Sequence, residues 1–237
     1  KGGSLLYAMD GLNARPTIDV DFMAERISRN REFLTKVFQE ILGIVCDEDG
    51  VTFDTENITM EPITVEKKYP GTRFFFTAHM DSIVHKMSVD IGFGDVVTPY
   101  PASIDFPLLL PNIPSVNLQA YSLETVIAEK FHTMLDRDEY NSRMKDFFDC
   151  YQLLTKRELH DETLYDAIKA TFDNRELEYN PKLKLFTAEF VNDANRQMQW
   201  KLFLRKIQWK EELSFNVVMQ VITDRLKPMA EKYWNKK

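Results

Sequence analysis

The sequence predicts an α+β fold in which a mixed β-sheet with helices comes first and a helical bundle follows. Short alternating or apolar runs bounded by turn residues fill the first half, and the chain after Ser122 repeats its apolar residues every three or four positions. Between the halves, residues 96–115 hold five prolines and predict an extended linker. We therefore expect one domain over residues 1–118 and a helical domain over residues 119–237.

Helices and strands are both expected in the first half. A short helix is predicted over residues 5–11, a strand over "TIDVDF" at residues 17–22, and an amphipathic helix over residues 21–42 that ends at Gly43. Short strands and one turn are predicted after it: "VTFDT" from Val51, "ITMEPITVEKKY" from Ile58, a turn at residues 69–71, "TRFFFTAHM" from Thr72 and "MSVDIGFG" from Met87. In the second half the spacing predicts helices over residues 122–136, 140–155, 161–174, 183–206 and 209–234.

Composition excludes several classes of protein. The chain has 237 residues, of which 44% are hydrophobic and 28% charged, as in ordinary globular domains. No apolar run approaches the roughly 18 residues of a membrane span and no charged-then-apolar leader is present, so we expect a cytoplasmic protein with no membrane partner. The net charge of −7 argues against non-specific coating of nucleic acid, but not against a local basic groove. Because Lys1 directly precedes a motif, we expect that part of the first domain is missing before it.

Cysteine and histidine give no sign of a zinc site or of hydrolase chemistry. Cys46 and Cys150 lie far apart without a CxxC pattern, and we expect both to be small buried hydrophobic residues. The histidines show no paired spacing, and no GxSxG or Cys–His nucleophile pattern stands out.

Two carboxylates interrupt the strand "TIDVDF". In an extended chain, residues i and i+2 point the same way about 6.6 Å apart, so Asp19 and Asp21 share one face with Thr17. Neighbouring carboxylates repel each other, and two divalent ions about 3.5–4 Å apart would remove that cost while forming a clamp for displacement at phosphorus. The other short acidic patterns, "DED" at 47–49 and "DRD" at 136–138, occur where turns are expected and are interpreted as solvated loops.

Two further features point to the same chemistry. Asp90 interrupts the apolar strand "MSVDIGFG", where an Asp should be paired or metal-bound; the alternative is an edge strand with Asp90 in water. The "GGS" of Gly2, Gly3 and Ser4 lets backbone N–H groups and a hydroxyl approach a phosphate at a helix start, although a Gly-Gly turn before a helix is common.

The order Gly-Gly-Ser, DxD, single strand Asp and helical half resembles the DNA-polymerase-beta-like nucleotidyltransferase superfamily. Within it, "YSLETVIAEKFHTML" from Tyr121, "NSRMKDFFDCYQLL" from Asn141 and "VDIGFGDVVTP" from Val89 resemble the AbiEii/AbiGii-type nucleotidyltransferase toxins of bacterial type IV toxin–antitoxin or abortive-infection systems. The resemblance covers Lys1 to Leu154 and implies a nucleotidyltransferase-type sheet in the first domain. The helices after Leu154 match no motif of the family.

The resemblance also implies roles for individual residues. Gly3 and Ser4 would hold the triphosphate of an NTP, and Asp19 and Asp21 would ligate two Mg²⁺ ions, which Mn²⁺ could replace. Asp90 would complete the site as a metal ligand and general base. Further residues of the implied site lie in the helical half: Lys130 would contact phosphate oxygens, and the R-x-KD-x-x-D element supplies Arg143, Lys145, Asp146 and Asp149.

The residues themselves leave alternatives open in the helical half. Lys145 and Asp149 also fit an exposed i,i+4 pair, and Asp146 fits either a partner that orients Lys130 or a structural salt bridge between domains. The segment "RQMQWKLFLRKIQWK" could form a basic, aromatic RNA-contact face, but we favour an amphipathic core helix with a solvated basic side.

We therefore expect a metal-dependent nucleotidyltransferase that moves a nucleoside monophosphate from an NTP to a hydroxyl group. By the resemblance, the acceptor is the tRNA 3′ end and the partner is a separately encoded antitoxin. The alternatives are transfer to a small molecule or a protein, and a catalytically dead member that only binds nucleotide or a partner.

Overall fold

The chain was analysed as a computed structural model that describes residues 1–47, 49–63, 71–108 and 115–235. The fold is α+β, as predicted. It divides into two compact units, the first formed by Lys1–Asp95 with Ser103–Ala120 and the second by Val96–Ala102 with Tyr121–Lys237. The start of the proline-rich segment thus groups with the helical unit.

The first unit is built on a five-stranded mixed sheet. Its elements are helix α1 (Gly2–Asp10) with a 3₁₀ turn (Gly11–Asn13), β1 (Val20–Ala24), α2 (Arg31–Leu42), β2 (Thr52–Phe53), β3 (Thr59–Ile63), β4 (Gly71–Met80) and β5 (Ile83–Phe93). The strand order is β1-β5-β4-β2, and β3 also pairs with β4. β1 runs parallel to β5, whereas the other pairs are antiparallel. Residues 69 and 70 of the predicted turn lie outside the described residues.

One face of this sheet forms the hydrophobic core with α2. The Phe38 ring stacks on Phe74 with centroids 3.9 Å apart. The buried cluster consists of Leu34, Phe38 and Leu42 from α2 with Phe74, Phe76, Val89, Ile91 and Phe93 from the strands. Because successive strand residues point to opposite faces, the residues between these apolar positions lie on the other face. The polar side chains of β4 and β5 are therefore collected on one side.

Three boundaries in this unit differ from those predicted. α1 starts at Gly2, so it includes the two glycines that were expected to precede it. The helix predicted over residues 21–42 begins only at Arg31, because the Asn30 side chain accepts a hydrogen bond from the Phe33 N–H and caps it there. The strand predicted over residues 17–22 begins at Val20, so Asp19 lies just before it.

The proline-rich segment is not an extended linker throughout. β6 (Ala102–Phe106) pairs with β7 (Val116–Ala120) in a separate two-stranded sheet, so the predicted linker is wrong at those positions. Earlier in the segment, Thr98 is fixed to the helical unit: its N–H donates to the Thr125 hydroxyl at 2.9 Å, and its carbonyl accepts from the same hydroxyl at 3.0 Å.

The second unit is helical. Its elements are α3 (Leu123–Arg137), a 3₁₀ turn (Asp138–Tyr140), α4 (Met144–Lys156), α5 (Asp161–Asn174), α6 (Ala188–Asn192), α7 (Ala194–Lys206) and α8 (Phe215–Trp234). The helix predicted over residues 183–206 is two helices, since Asp193 caps α7 by accepting from the Arg196 N–H. The last helix starts at Phe215 and not at residue 209, since Ser214 caps it. Among the described residues, no helix combines the length and apolar character needed to cross a bilayer.

Candidate active site

Four charged side chains form a row across the polar face of the sheet. Asp21 on β1 is in register with Asp90 on the parallel neighbour β5, and Asp90 is in register with Arg73 on β4. Glu61 on β3 continues the row as the register partner of Arg73. Register partners on adjacent strands about 4.8 Å apart carry their side chains on the same face. Asp21 and Asp90 therefore lie side by side on the face opposite the core.

The segment before β1 brings Asp19 to the same place. The Asp19 carbonyl accepts hydrogen bonds from the Ser4 hydroxyl at 3.2 Å and from the Thr17 hydroxyl at 3.4 Å. Val20 packs on the core cluster, as expected for the opposite face, whereas Ile18 is exposed because it precedes the strand. The start of α1 and the start of β1 are thus linked through one carbonyl group.

Negative charge accumulates around Asp21. Burial raises the pKa of the Asp21 carboxyl above its ordinary value; Lys1 opposes the rise, and the neighbouring carboxylates Asp90 and Asp19 reinforce it. A carboxylate in this position is stabilised by any cation that enters the row. The electrostatic effect of Asp19 and Asp90 on Asp21 also shows that the three predicted carboxylates are close together.

Arg73 is a member of this site that the sequence analysis did not single out. Its Nε donates to Asp90 Oδ1 at 2.6 Å and its terminal nitrogen donates to Asp90 Oδ2 at 2.7 Å, so both carboxylate oxygens are engaged. The signal for it was present: Arg73 interrupts "TRFFFTAHM" at a position that alternates away from the buried Phe74 and Phe76. Strand alternation alone does not predict that β4 pairs with β5, which is what brings Arg73 to Asp90.

The glycines of α1 allow it to approach the carboxylates closely. At Gly2, where φ is +68°, a Cβ atom would lie 2.0 Å from Asp21 Oδ2. At Gly3, which is buried, a Cβ atom would lie 2.5 Å from Thr17 Oγ1. "GGS" is therefore the first turn of the helix and not a turn before it, and it packs directly on the DxD segment.

A second ion pair lies at the end of β5 and was also missed. Lys1 Nζ contacts the carboxylate of Asp95. A Cβ atom added to Gly92 would lie 3.0 Å from Lys1 Nζ and 3.2 Å from Asp95 Oδ2. Gly92 is two residues after Asp90, so it shares the polar face and leaves room there for the lysine.

The donor chemistry of this site suits a divalent cation. Mg²⁺ takes oxygen ligands, usually one or two carboxylates with substrate phosphates, and Asp19, Asp21 and Asp90 supply carboxylates around a point of excess negative charge. Within the described residues, no three His, Cys, Asp or Glu side chains are already arranged to hold a metal ion. The Arg73 pair explains part of this, since it takes both oxygens of Asp90.

In the helical unit, the predicted lysine and its acidic neighbours form a buried cluster. Lys130 Nζ on α3 lies 2.9 Å from Asp146 Oδ1 and 2.8 Å from Asp149 Oδ2, both on α4. Arg143 Nε donates to the other oxygen of Asp146 at 2.6 Å. The alternative of an exposed pair between Lys145 and Asp149 does not describe Asp149, which is buried and bound to Lys130.

The electrostatics of this cluster favour the charged states of Lys130 and Asp146. Burial disfavours charge on Lys130, but Asp146 and Asp149 outweigh it and raise the lysine pKa. Burial likewise opposes ionisation of Asp146, yet Lys130 and Arg143 lower the pKa of its carboxyl to about 2. The Cys150 thiol, next along α4, has its pKa raised by burial, as expected for an inert core cysteine; Cys46, in contrast, is exposed.

The segment predicted as an amphipathic core helix with a basic side has that arrangement only in part, since its apolar residues Met198 and Leu202 are exposed. Arg196 is buried and donates to the carbonyls of Asn141 at 2.6 Å, Glu139 at 3.0 Å and Phe190 at 3.1 Å. Trp200 is buried and donates to the Leu213 carbonyl at 2.8 Å. Arg196 and Trp200, two members of the RNA-contact face considered above, are thus buried and bound to backbone carbonyls. The exposed basic residues are Lys201, Arg205, Lys206 and Lys210.

One family model matches most of the chain. The model of the AbiEii family, described as the nucleotidyl transferase AbiEii toxin of type IV toxin–antitoxin systems, matches residues 1–221. The chain belongs to this family. The match extends well beyond Leu154, where the recognisable motifs end, and includes α7 and the start of α8. No curated protein matches the chain.

Two solved structures from Helicobacter pylori are similar to the chain. One is the protein JHP933, with 16% identity and a TM-score of 0.43, covering 94% of this chain and 82% of that one. The other is described as a candidate nucleotidyltransferase, with 13% identity and a TM-score of 0.46, covering 98% of this chain and 85% of that one.

Proposed function

We propose that this member of the AbiEii family is an active, metal-dependent nucleotidyltransferase. It would transfer a nucleoside monophosphate from an NTP to a hydroxyl group and release pyrophosphate. The observation that carries the proposal is the register of Asp21 with Asp90 on adjacent parallel strands, with Asp19 adjoining and α1 packed against them. Three sequence motifs supply these groups, and the carboxylates of Asp90 and Asp19 add to the rise that burial causes in the pKa of Asp21.

The carboxylates supply positions for metal and proton. Asp19, Asp21 and Asp90 would hold two Mg²⁺ ions, or Mn²⁺, which when bound neutralise the phosphates and the developing charge of an in-line displacement. Asp90 would also accept the proton of the attacking hydroxyl at a carboxylate oxygen. Gly3 and Ser4 would hold the triphosphate through the backbone N–H groups at the start of α1, which the Ser4 hydroxyl keeps beside Asp19.

The buried lysine would add a positive charge for the substrate. An ammonium group has three N–H donors, and two of those on Lys130 are directed at Asp146 and Asp149. By the family resemblance, we keep Lys130 in the proposal as a contact to a phosphate oxygen of the substrate. In this role Asp146 orients the lysine, and the neighbouring residues Arg143, Lys145 and Asp149 support the pair.

The acceptor we propose is the 3′ end of tRNA, whose modification would block translation and make the enzyme toxic until an antitoxin restrains it. Support comes from the family, whose description names a toxin of type IV toxin–antitoxin systems. NTP and tRNA are cytoplasmic molecules, and we keep that location as part of the proposal. The rival acceptors are small molecules and protein side chains, and the rival function is nucleotide binding without transfer.

Incubation with each labelled NTP, Mg²⁺ and total tRNA separates these functions. Label on RNA supports the proposed acceptor, whereas label on protein or on small molecules supports the rival acceptors. Asp19→Ala should lower transfer by about 10²-fold or more, and it should leave folding intact because it removes a repulsive charge. Asp166→Ala, at an exposed position of α5, is the matched control. Normal labelling by Asp19→Ala, or no label together with no NTP-dependent thermal shift of the wild-type protein, would refute the proposal.

A further inference from the structure

The guanidinium of Arg73 is one of the cations at the carboxylate row, together with Lys1, which acts on Asp21. It engages both oxygens of Asp90 at 2.6 and 2.7 Å, and Asp19 and Asp21 also act on it electrostatically. On its other side lies Glu61, its register partner on β3. The positive charge of Arg73 therefore stands where a metal ion would have to reach Asp90.

The exposure of the two partners is unequal. The Arg73 side chain is 40% exposed, whereas that of Asp90 is 17% exposed. The pair is bidentate, the strong geometry for arginine and carboxylate, but the guanidinium stays in contact with water whether or not it holds Asp90. An Arg73 side chain that leaves Asp90 therefore keeps its hydration, and the cation that replaces it must neutralise Asp90.

The planar guanidinium has a fork of donors that matches phosphate as well as carboxylate. We infer that Arg73 exchanges partners when substrate arrives. Without substrate, Arg73 neutralises Asp90. When the metal-bound nucleotide binds, Arg73 releases Asp90 and its guanidinium donates to a phosphate oxygen of the nucleotide instead. This inference rests on the proposed function and adds a residue that binds the nucleotide. A purely structural ion pair does not require an arginine that is exposed to water beside three carboxylates.

The exchange predicts opposite changes in two binding measurements on the Arg73→Gln variant. Without nucleotide, Mn²⁺ binding followed by electron paramagnetic resonance should be tighter than in the wild-type protein, because a competing cation is gone. With Mn²⁺ and a non-hydrolysable NTP analogue, calorimetry should show nucleotide affinity about tenfold weaker, the effect of losing one charged hydrogen bond.

Two further variants calibrate the experiment. Arg31→Gln removes the same charge from exposed Arg31 on α2, the helix that covers the opposite face of the sheet, and should change neither affinity by more than about twofold. Arg73→Lys keeps the charge but loses the fork, so metal affinity should stay near that of the wild type while nucleotide affinity falls. If Arg73→Gln does not fold, as judged by circular dichroism, the lysine variant carries the test alone.

Each outcome has a definite meaning. Unchanged nucleotide affinity in both Arg73 variants would overturn the inference and leave Arg73 as a structural partner of Asp90. Weaker Mn²⁺ binding by Arg73→Gln would also overturn it, because Arg73 would then be needed to orient Asp90. A wild-type protein that binds neither Mn²⁺ nor the analogue would refute the proposed function itself. If the wild-type protein binds both and the Arg73 variants bind both with the same affinities, only the proposed partner exchange of Arg73 is refuted.

Discussion

At the scale of single residues, the polar face of the sheet holds like charges close together. Asp21 is partly buried beside Asp19 and Asp90, and the Arg73 guanidinium donates hydrogen bonds to both carboxylate oxygens of Asp90. Folding gains nothing from the charge of Asp21, because burial raises the pKa of its carboxyl and the carboxylates of Asp90 and Asp19 add to the rise. Sites that sacrifice stability in this way are commonly functional.

The raised pKa of Asp21 gives a prediction on stability. A carboxyl whose pKa is higher in the folded protein binds its proton more tightly there, so its unfavourable contribution is fully present at neutral pH and disappears as pH falls through the folded pKa toward the ordinary value of 3.8. Asp21→Asn should therefore have a higher free energy of unfolding than the wild type at pH 7, and the advantage should shrink toward pH 4. Urea denaturation in EDTA measures it, with Asp166→Asn as the exposed control. An Asp21→Asn protein that is less stable at pH 7 would contradict the charge balance described above.

At the scale of elements, two contacts fix the functional groups. Gly3 allows α1 to lie on the DxD segment, and the salt-bridge cluster of Lys130 with Asp146 and Asp149 joins α3 to α4. Both depend on close approach of neighbouring elements, so both should respond to changes of a few atoms.

The contact of α1 with the DxD segment can be tested at Gly3. In Gly3→Ala the new Cβ would meet Thr17 Oγ1 at 2.5 Å and Thr17 Cβ at 2.6 Å, so the helix must move away. We expect a loss of about 1–3 kcal/mol in the free energy of unfolding, as in other overpacked sites, with a loss of transfer activity. The double variant Gly3→Ala/Thr17→Gly removes the obstacle and should recover stability. Equal stability of Gly3→Ala and the wild type would show that the packing is looser than described.

The lysine cluster gives a second prediction at this scale. Lys130→Ala removes the cation that the buried carboxylates Asp146 and Asp149 share and should cost about 3–5 kcal/mol in thermal or urea unfolding. Lys169→Ala, which breaks the exposed pair with Asp173, should cost less than about 0.5 kcal/mol. Because the Asp146 pKa is lowered to about 2, its contribution is present above the ordinary value of 3.8 and is lost as pH falls toward 2. Similar losses for the two lysine variants would argue against a tightly held cluster.

At the scale of the whole molecule, the family and the proposed site together predict an effect on bacterial growth. The family description names a toxin of a type IV toxin–antitoxin system, and under the proposed function that toxicity would come from nucleotide transfer. The effect on growth should therefore depend on the carboxylates and not on the fold alone.

Expression of the chain without an antitoxin should arrest the growth of a bacterial host. A host expressing Asp21→Asn should grow normally at the same protein level, because the variant keeps the fold but loses a carboxylate that the proposed function assigns to the metal. Colony counts after induction, with immunoblots for expression, measure this, and Asp166→Asn should arrest growth like the wild type. Arrest by Asp21→Asn at equal expression would mean that toxicity does not come from nucleotide transfer.

The sequence by itself determined the α+β class, most of the strands and helices, and the face on which Asp21 and Asp90 lie, because periodicity and alternation are local properties of the chain. Its errors were also local: side-chain caps at Asn30, Asp193 and Ser214 moved three helix starts. Only the tertiary structure decided the partners: Arg73 for Asp90, Asp149 for Lys130, and three carbonyls for the buried Arg196. These pairs join residues distant in sequence, and only the pairing of strands and the packing of helices bring them together.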